Sequence, residues 1–148
     1  NIQEGVKKIA AGTFSGCDGL VEITIPKSVE SIGERAFSHC ENLENVNIQE
    51  GVTSIGDYVF NRCLGIRELI IPKSITNIGI NVFYFCLGLE RLYCKPSVPP
   101  IISGDIFSSN LPIKPVPIYV PTESVEQYKA ANAWGRYTSY IVGYDFTE

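Results

Sequence analysis

One spacing governs this sequence. Phe14, Phe37, Phe60 and Phe83 follow one another at a constant step of 23, and so do Cys17, Cys40, Cys63 and Cys86. Leu20, Leu43, Ile66 and Leu89 keep the same step, as do Val6, Val29, Val52 and Ile75. So does the column Ile9, Ile32, Ile55 and Ile78, whose last three members are each followed by glycine, at 33, 56 and 79. Self-similarity at a period of roughly 20–50 residues is the mark of a chain that stacks copies of one small unit.

The unit reads F-x-x-C-x-x-L-x-x-I-x-I-P-x-x-V-x-x-I-G. Its apolar positions recur at every third place and tighten to a step of two only across one segment, Ile23 and Ile25 in one copy. A step of two is strand geometry, so each coil is expected to hold one strand of about three residues. The steps of three suit turns or 3-10-like arcs. A single coil cannot bury its own apolar edge. Stacking sets each Phe on the next Phe and pairs the strands in a parallel sheet, with neighbours ~4.8 Å apart. Stability then comes from nearest-neighbour interfaces, and open ends need caps.

Two versions of the coil alternate. Ile-Gln-Glu-Gly-Val stands at 2–6 and 48–52, and Ile-Pro-Lys-Ser followed by Val or Ile at 25–29 and 71–75. A duplicated two-coil unit accounts for the alternation. The first residues, 1–5, repeat 47–51, so the chain is expected to start inside a longer array, with any targeting segment out of view.

The run Ile25-Pro26-Lys27-Ser28-Val29-Glu30-Ser31-Ile32-Gly33-Glu34-Arg35-Ala36-Phe37-Ser38-His39-Cys40-Glu41-Asn42-Leu43 resembles the BspA-type leucine-rich repeat of bacterial surface proteins. The motif runs clearly from 2 to about 94. The tail, Tyr119-Val120-Pro121, then Ser124 to Lys129 and Trp134, is similar to the C-terminal end of such proteins from Bacteroides-like gut bacteria. The resemblance implies an α/β-type repeat, a right-handed leucine-rich-repeat solenoid with short parallel strands, irregular or 3-10 turns and a C-terminal capping helix. It also implies a secreted or cell-surface location and adhesion to host matrix proteins or other bacteria. It offers no catalytic residue to carry over.

On this frame, 1–97 holds about four repeats, the first truncated. Residues 98–120 form a degenerate fifth and 121–148 a cap. Val98 and Ile101 are expected to keep the frame, with Phe107 one place late and Pro99-Pro100 as the site of the insertion. Ile118 and Val120 mark the fifth strand, and Pro112, Pro115 and Pro117 stiffen the loop before it. The pattern predicts a helix over 122–134, with Thr122 as N-cap, Val125, Tyr128 and Trp134 on one face, and Gly135 as stop. Tyr140-Ile141-Val142 reads as a last strand. A minor alternative makes Tyr128 and Trp134 an aromatic ligand site.

Little of the sequence suggests chemistry. An unbroken cysteine ladder reads as free core thiols, because in-register side chains leave their coils in parallel and suit a disulfide dihedral poorly. There is no C-x-x-C pair and only one histidine, His39, so neither a metal site nor a nucleophilic triad is expected. His39, beside a core Cys, should face outward. Glu22, Glu34, Asp57 and Glu68 read as solvated surface, and no phosphate-cradling glycine loop is present. No cofactor is expected. A net charge of −4 opposes nucleic-acid binding, and no apolar run approaches the ~18 residues of a membrane span. A hydrolase has little support.

The outward strand positions vary while the inward ones hold. They are Glu22 and Thr24, Asn45 and Asn47, Glu68 and Ile70, then Arg91 and Tyr93. Glu68, Ile70, Arg91 and Tyr93 form the candidate partner-binding patch, since aromatic and Arg side chains anchor interfaces. The expected partner is an extracellular protein or glycan. The alternative is a spacer with no ligand of its own.

Overall fold

The computed structural model describes residues 1–107 and 115–147. Pro112 of the proline loop lies outside them. In chain order the strands are β1 (Lys8–Ile9), β2 (Glu22–Ile25), β3 (Ser31–Ile32), β4 (Asn45–Ile48), β5 (Ser54–Ile55) and β6 (Glu68–Ile71). Next come β7 (Asn77–Ile78), β8 (Arg91–Cys94), β9 (Ile101–Ile102) and β10 (Ile118–Pro121), then helix α1 (Val125–Ala130) and β11 (Ile141–Tyr144). All pairings are parallel. Ile23 sits opposite Val46, Leu69 opposite Leu92, and Ile55 opposite Ile78, so the pairing register is the sequence period.

Each coil therefore holds two strands rather than one. The longer strands alternate exposed and buried positions, as a half-buried strand should. The column Ile9, Ile32, Ile55, Ile78, expected to lie on arcs, instead runs through a five-stranded sheet, β1-β3-β5-β7-β9. Its strands are too short to show an alternation in sequence.

Between the sheets the columns stack. Phe14 lies on Phe37 with ring centroids 5.2 Å apart, Phe37 on Phe60 at 5.7 Å, and Phe60 on Phe83 at 6.1 Å, all within 14° of parallel. The cysteines are free thiols. Cys40, Cys63 and Cys86 each donate the S–H to the carbonyl of the Phe one coil earlier, at 3.1, 3.1 and 2.9 Å. Burial pushes these thiols up, Cys86 to about 12, so they stay protonated.

The turns obey the stack as well. Gly12, Arg35, Tyr58 and Asn81 share a left-handed backbone, and so do Gly16, His39, Arg62 and Phe85. Their N–H groups bond to the next coil, Arg35 donating to Asp57 O at 2.9 Å and His39 to Asn61 O at 2.7 Å. The conformation costs a non-glycine residue roughly 1–2 kcal/mol, offset here by an inter-coil hydrogen bond. His39 is exposed, as expected. Asp57, expected to be solvated, is half-buried, because its Oδ1 accepts the Ile80 N–H of the next coil at 2.9 Å. The close approach at Gly56 leaves no space for a Cβ, which would stand 2.8 Å from Glu34 N.

The alternation of coil types is a bonding pattern. Gly5 N–H donates to Ser28 Oγ at 3.0 Å, and Gly51 N–H to Ser74 Oγ at 3.1 Å. Each Glu-Gly coil thus supplies a donor to the serine of the Pro-Lys-Ser coil that follows it.

After Cys94 the register slips by one. Ile78 pairs with Ile102, one place beyond the period, while Cys94 still sits opposite Ile71 in the old register. Ile101 and Val98 do not keep the frame. They are 69% and 66% exposed, and Ile102 occupies the core column. The insertion has already entered before Ile101. Phe107, one place late, restores the stack, 5.7 Å from Phe83.

The predicted helix is broken into pieces. A 3-10 turn covers Thr122–Ser124, α1 ends where Ala131 becomes extended, and Gly135 lies inside a second 3-10 turn, Trp134–Tyr137. The N-cap of α1 is Ser124, not Thr122, and its hydroxyl donates to Ser97 O at 2.8 Å instead of capping. The break has a physical reason. One continuous helix would separate Tyr128 from Trp134 by roughly 9 Å of rise. Folding back brings their rings to 5.1 Å and lets each polar tip reach the last coil. Tyr128 Oη donates to Pro96 O and Trp134 Nε1 to Pro100 O, both at 2.7 Å. Tyr137 Oη donates to Asp105 Oδ1 at 2.6 Å and accepts the Ile106 N–H at 2.9 Å. Tyr128 and Trp134 are buried and hold the cap in place, which removes them as a ligand site. β11 runs further than predicted at its C-terminal end and pairs with β10 in the register of the period, Ile118 opposite Ile141.

Candidate functional site

The longer strands build one face from the side chains the core does not use. The register places Glu22 beside Asn45 and Glu68 beside Arg91 in a first row. The second row holds Thr24 and Asn47, then Ile70, Tyr93, Tyr119 and Val142. It changes from polar to aromatic along the solenoid.

The ladder is interrupted once. β2 pairs with β4, and β6, β8, β10 and β11 pair in that order, but no ladder joins β4 to β6 among the described residues. Val46, beside the gap, is only partly buried, whereas Ile23 and Leu69 in its column are sealed. The five-stranded sheet runs unbroken past the same point. A depression of about 1050 Å³ spans the gap, lined by Glu22, Asn45, Asn47, Glu68, Ile70 and Arg91 among others.

Of the sequence-predicted residues, Glu68, Ile70 and Arg91 are exposed and Tyr93 is half-buried. Arg91 Nε lies 3.6 Å from Glu68 Oε2, the residue directly opposite it. Tyr93 stacks on Tyr119 with centroids 5.0 Å apart and 19° between planes. Tyr144 meets both edge-on, at 5.4 and 5.5 Å, and Phe146 packs on Tyr144 at 4.8 Å. Lys95 Nζ reaches 5.9 Å from the Phe146 ring. Burial raises the Tyr93 phenol above its ordinary value, with Arg91 pulling the other way. The phenol stays neutral near pH 7 and keeps its O–H donor.

The sequence pattern points as far as Tyr93 and misses Tyr119, Tyr144 and Phe146. Tyr119 pairs with Tyr93 from outside the period, displaced by the longer loop between them. The regular step from Ile118 to Ile141 was the available signal for the last strand and its aromatic residues. Elsewhere, the described residues hold no group of three or more His, Cys, Asp or Glu placed to bind a metal ion. No helix among them is long and apolar enough to cross a membrane.

A family model described as the BspA type leucine rich repeat region matches residues 1–128 in six copies. A leucine rich repeat protein of T. pallidum is similar at 32% identity and a TM-score of 0.62, over 66% of this chain and 46% of that one. A leucine rich cell surface protein from Faecalibacterium prausnitzii gives 28% identity and 0.62, over 73% and 31%. The pneumococcal vaccine antigen PcpA shares the fold at 19% identity and 0.70, over 97% and 40%. The chain thus spans less than half the length of each. No curated protein matches it.

Proposed function

The chain belongs to the BspA-type leucine-rich-repeat family, and from that premise we propose that it is an interaction module of a bacterial cell surface that holds a partner on its concave sheet. The observation that carries this reading is the contrast between the two sides of the same strands. Inward positions repeat the same residue types, whereas outward positions change from coil to coil and end in the Ile70, Arg91, Tyr93, Tyr119 and Tyr144 patch. Stacking does not require that variation. Ile70 and Tyr144 are 44% and 42% exposed, and exposed apolar groups beside aromatics and Arg mark contact surfaces. The similar surface protein of F. prausnitzii supports the location, and adhesion is the biological role this reading assigns.

The test is capture on immobilised matrix proteins and glycans, comparing the wild type with the Arg91→Ala/Tyr93→Ala double variant. Binding is expected to weaken by at least ~10-fold, the scale of losing an interface anchor, with the array still folded. A spacer would bind nothing on the whole panel, and equal binding by both proteins would place the contact elsewhere.

A further inference from the structure

Resting on that reading, we propose that the occupant of the concave face is an extended polypeptide segment, basic where it crosses β2 and β4 and apolar or aromatic where it crosses β8, β10 and β11. The two halves of the face differ in charge balance. Glu68 is neutralised by Arg91, and Arg67 by Glu90, at 3.6 and 3.7 Å. Glu22 and Glu44, both exposed and both lining the depression, have no cationic partner among the described residues. Two uncompensated carboxylates therefore stand beside Asn45 and Asn47. A cationic segment gains there without displacing an existing ion pair, and an anionic one is repelled.

The other half is aromatic and closely packed. A pyranose stacks on an open ring face, and here Tyr93 and Tyr119 each turn one face to the other, with Tyr144 and Phe146 packed against them. Tyr144 remains 42% exposed. Such a surface suits aliphatic and aromatic side chains with a backbone to hydrogen-bond.

Six strands at ~4.8 Å spacing span roughly 24 Å, the length of about seven extended residues.

The experiment is fluorescence anisotropy with short labelled peptides, at low and at moderate salt. One peptide has a Lys/Arg block followed by a Tyr/Leu block. The second has the same apolar block with Asp/Glu in place of Lys/Arg. At low salt the basic peptide is expected to bind at least ~10-fold more tightly, a preference that shrinks as screening rises. The Glu22→Gln/Glu44→Gln variant should lose most of that preference and keep the salt-insensitive part, which Tyr144→Ala should remove. Equal or tighter binding of the acidic peptide overturns the proposal. So does failure of both peptides while Arg91- and Tyr93-dependent capture of a matrix protein or glycan persists, an outcome that leaves the interaction-module reading standing. Failure of both peptides and of the whole panel removes both.

Discussion

The repeat body and the C-terminal cap close the same core by different means. In the body each residue type stacks on itself, as Phe37 on Phe60 and Ile55 beside Ile78, and the polar groups between coils pair at a fixed step. In the helical part of the cap nothing stacks on its own kind, and only β11 keeps the period, with Ile141 beside Ile118. Tyr128, Trp134 and Tyr137 bring large apolar rings with one polar tip each, and the tips meet main-chain or carboxylate groups that the last coil leaves facing outward. Pro96 and Pro100 suit this junction because they lack an N–H, and their carbonyls are the groups the cap takes. A repeat needs only neighbours like itself, whereas its end needs a set of unlike residues fitted to one place.

Truncating one ring in each region should separate the two kinds of closure. Phe60→Ala removes contacts on both sides of the stack, and a loss of about 3–5 kcal/mol is expected, as for other buried aromatics. Trp134→Ala should lose a similar amount but fray the cap and last coil first, leaving the body's circular dichroism at low denaturant. Trp134→Phe keeps an aromatic ring and loses the bond to Pro100 O, for about 1–3 kcal/mol. Trp134 is the sole tryptophan, so its fluorescence reports the cap while circular dichroism reports the body. A body that melts as early as the cap in Trp134→Ala would erase the distinction.

The thiol ladder gives the body its own response to pH. Cys40, Cys63 and Cys86 are held above their ordinary range in the fold. A raised folded value means that stability is complete below the unfolded thiol value and is lost as pH rises above it. Beyond pH ~9 the unfolding free energy should fall by up to roughly 1.4 kcal/mol per pH unit for each buried thiol. Cys63→Ser keeps a donor for Phe37 O and does not ionise, so its denaturant midpoint should fall less steeply between pH ~9 and ~11. An unchanged slope would mean that the ladder does not govern the alkaline limit.

The smallest effect lies in the cap. Ala133 holds φ 65°, a left-handed backbone that disfavours a side chain, and its methyl is partly buried against the core. Ala133→Gly should stabilise the protein by about 0.5–1 kcal/mol. A loss instead would show that the methyl packs usefully against the core.

The same contrast explains what can be read from the residues alone. Phe, Cys, Leu and Ile columns declare their neighbours because each position is tested once per coil. The body's stacking and its free thiols follow from that repetition. The second sheet does not show, because one inward Ile in a very short strand looks like one inward Ile on an arc. The slip to Ile102 is hidden because Ile101 is equally apolar and continues the count. In the helical part of the cap each residue occurs once, so Ser124, Tyr137 and the fold-back at Ala131 have no column to betray them. The outward face of the longer strands is half legible. Glu68, Ile70, Arg91 and Tyr93 stand within the period, whereas Tyr119 is reached only by knowing the length of the loop before it.

The direct test of where this molecule meets a partner is amide hydrogen exchange, with and without a ligand that the wild type captures. Added protection is predicted at Glu68–Ile71, Arg91–Cys94, Ile118–Pro121 and Ile141–Tyr144, with none at Ser31–Ile32, Ser54–Ile55 or Asn77–Ile78. Protection confined to those shortest strands, with the tyrosine face unchanged, would contradict a concave binding sheet.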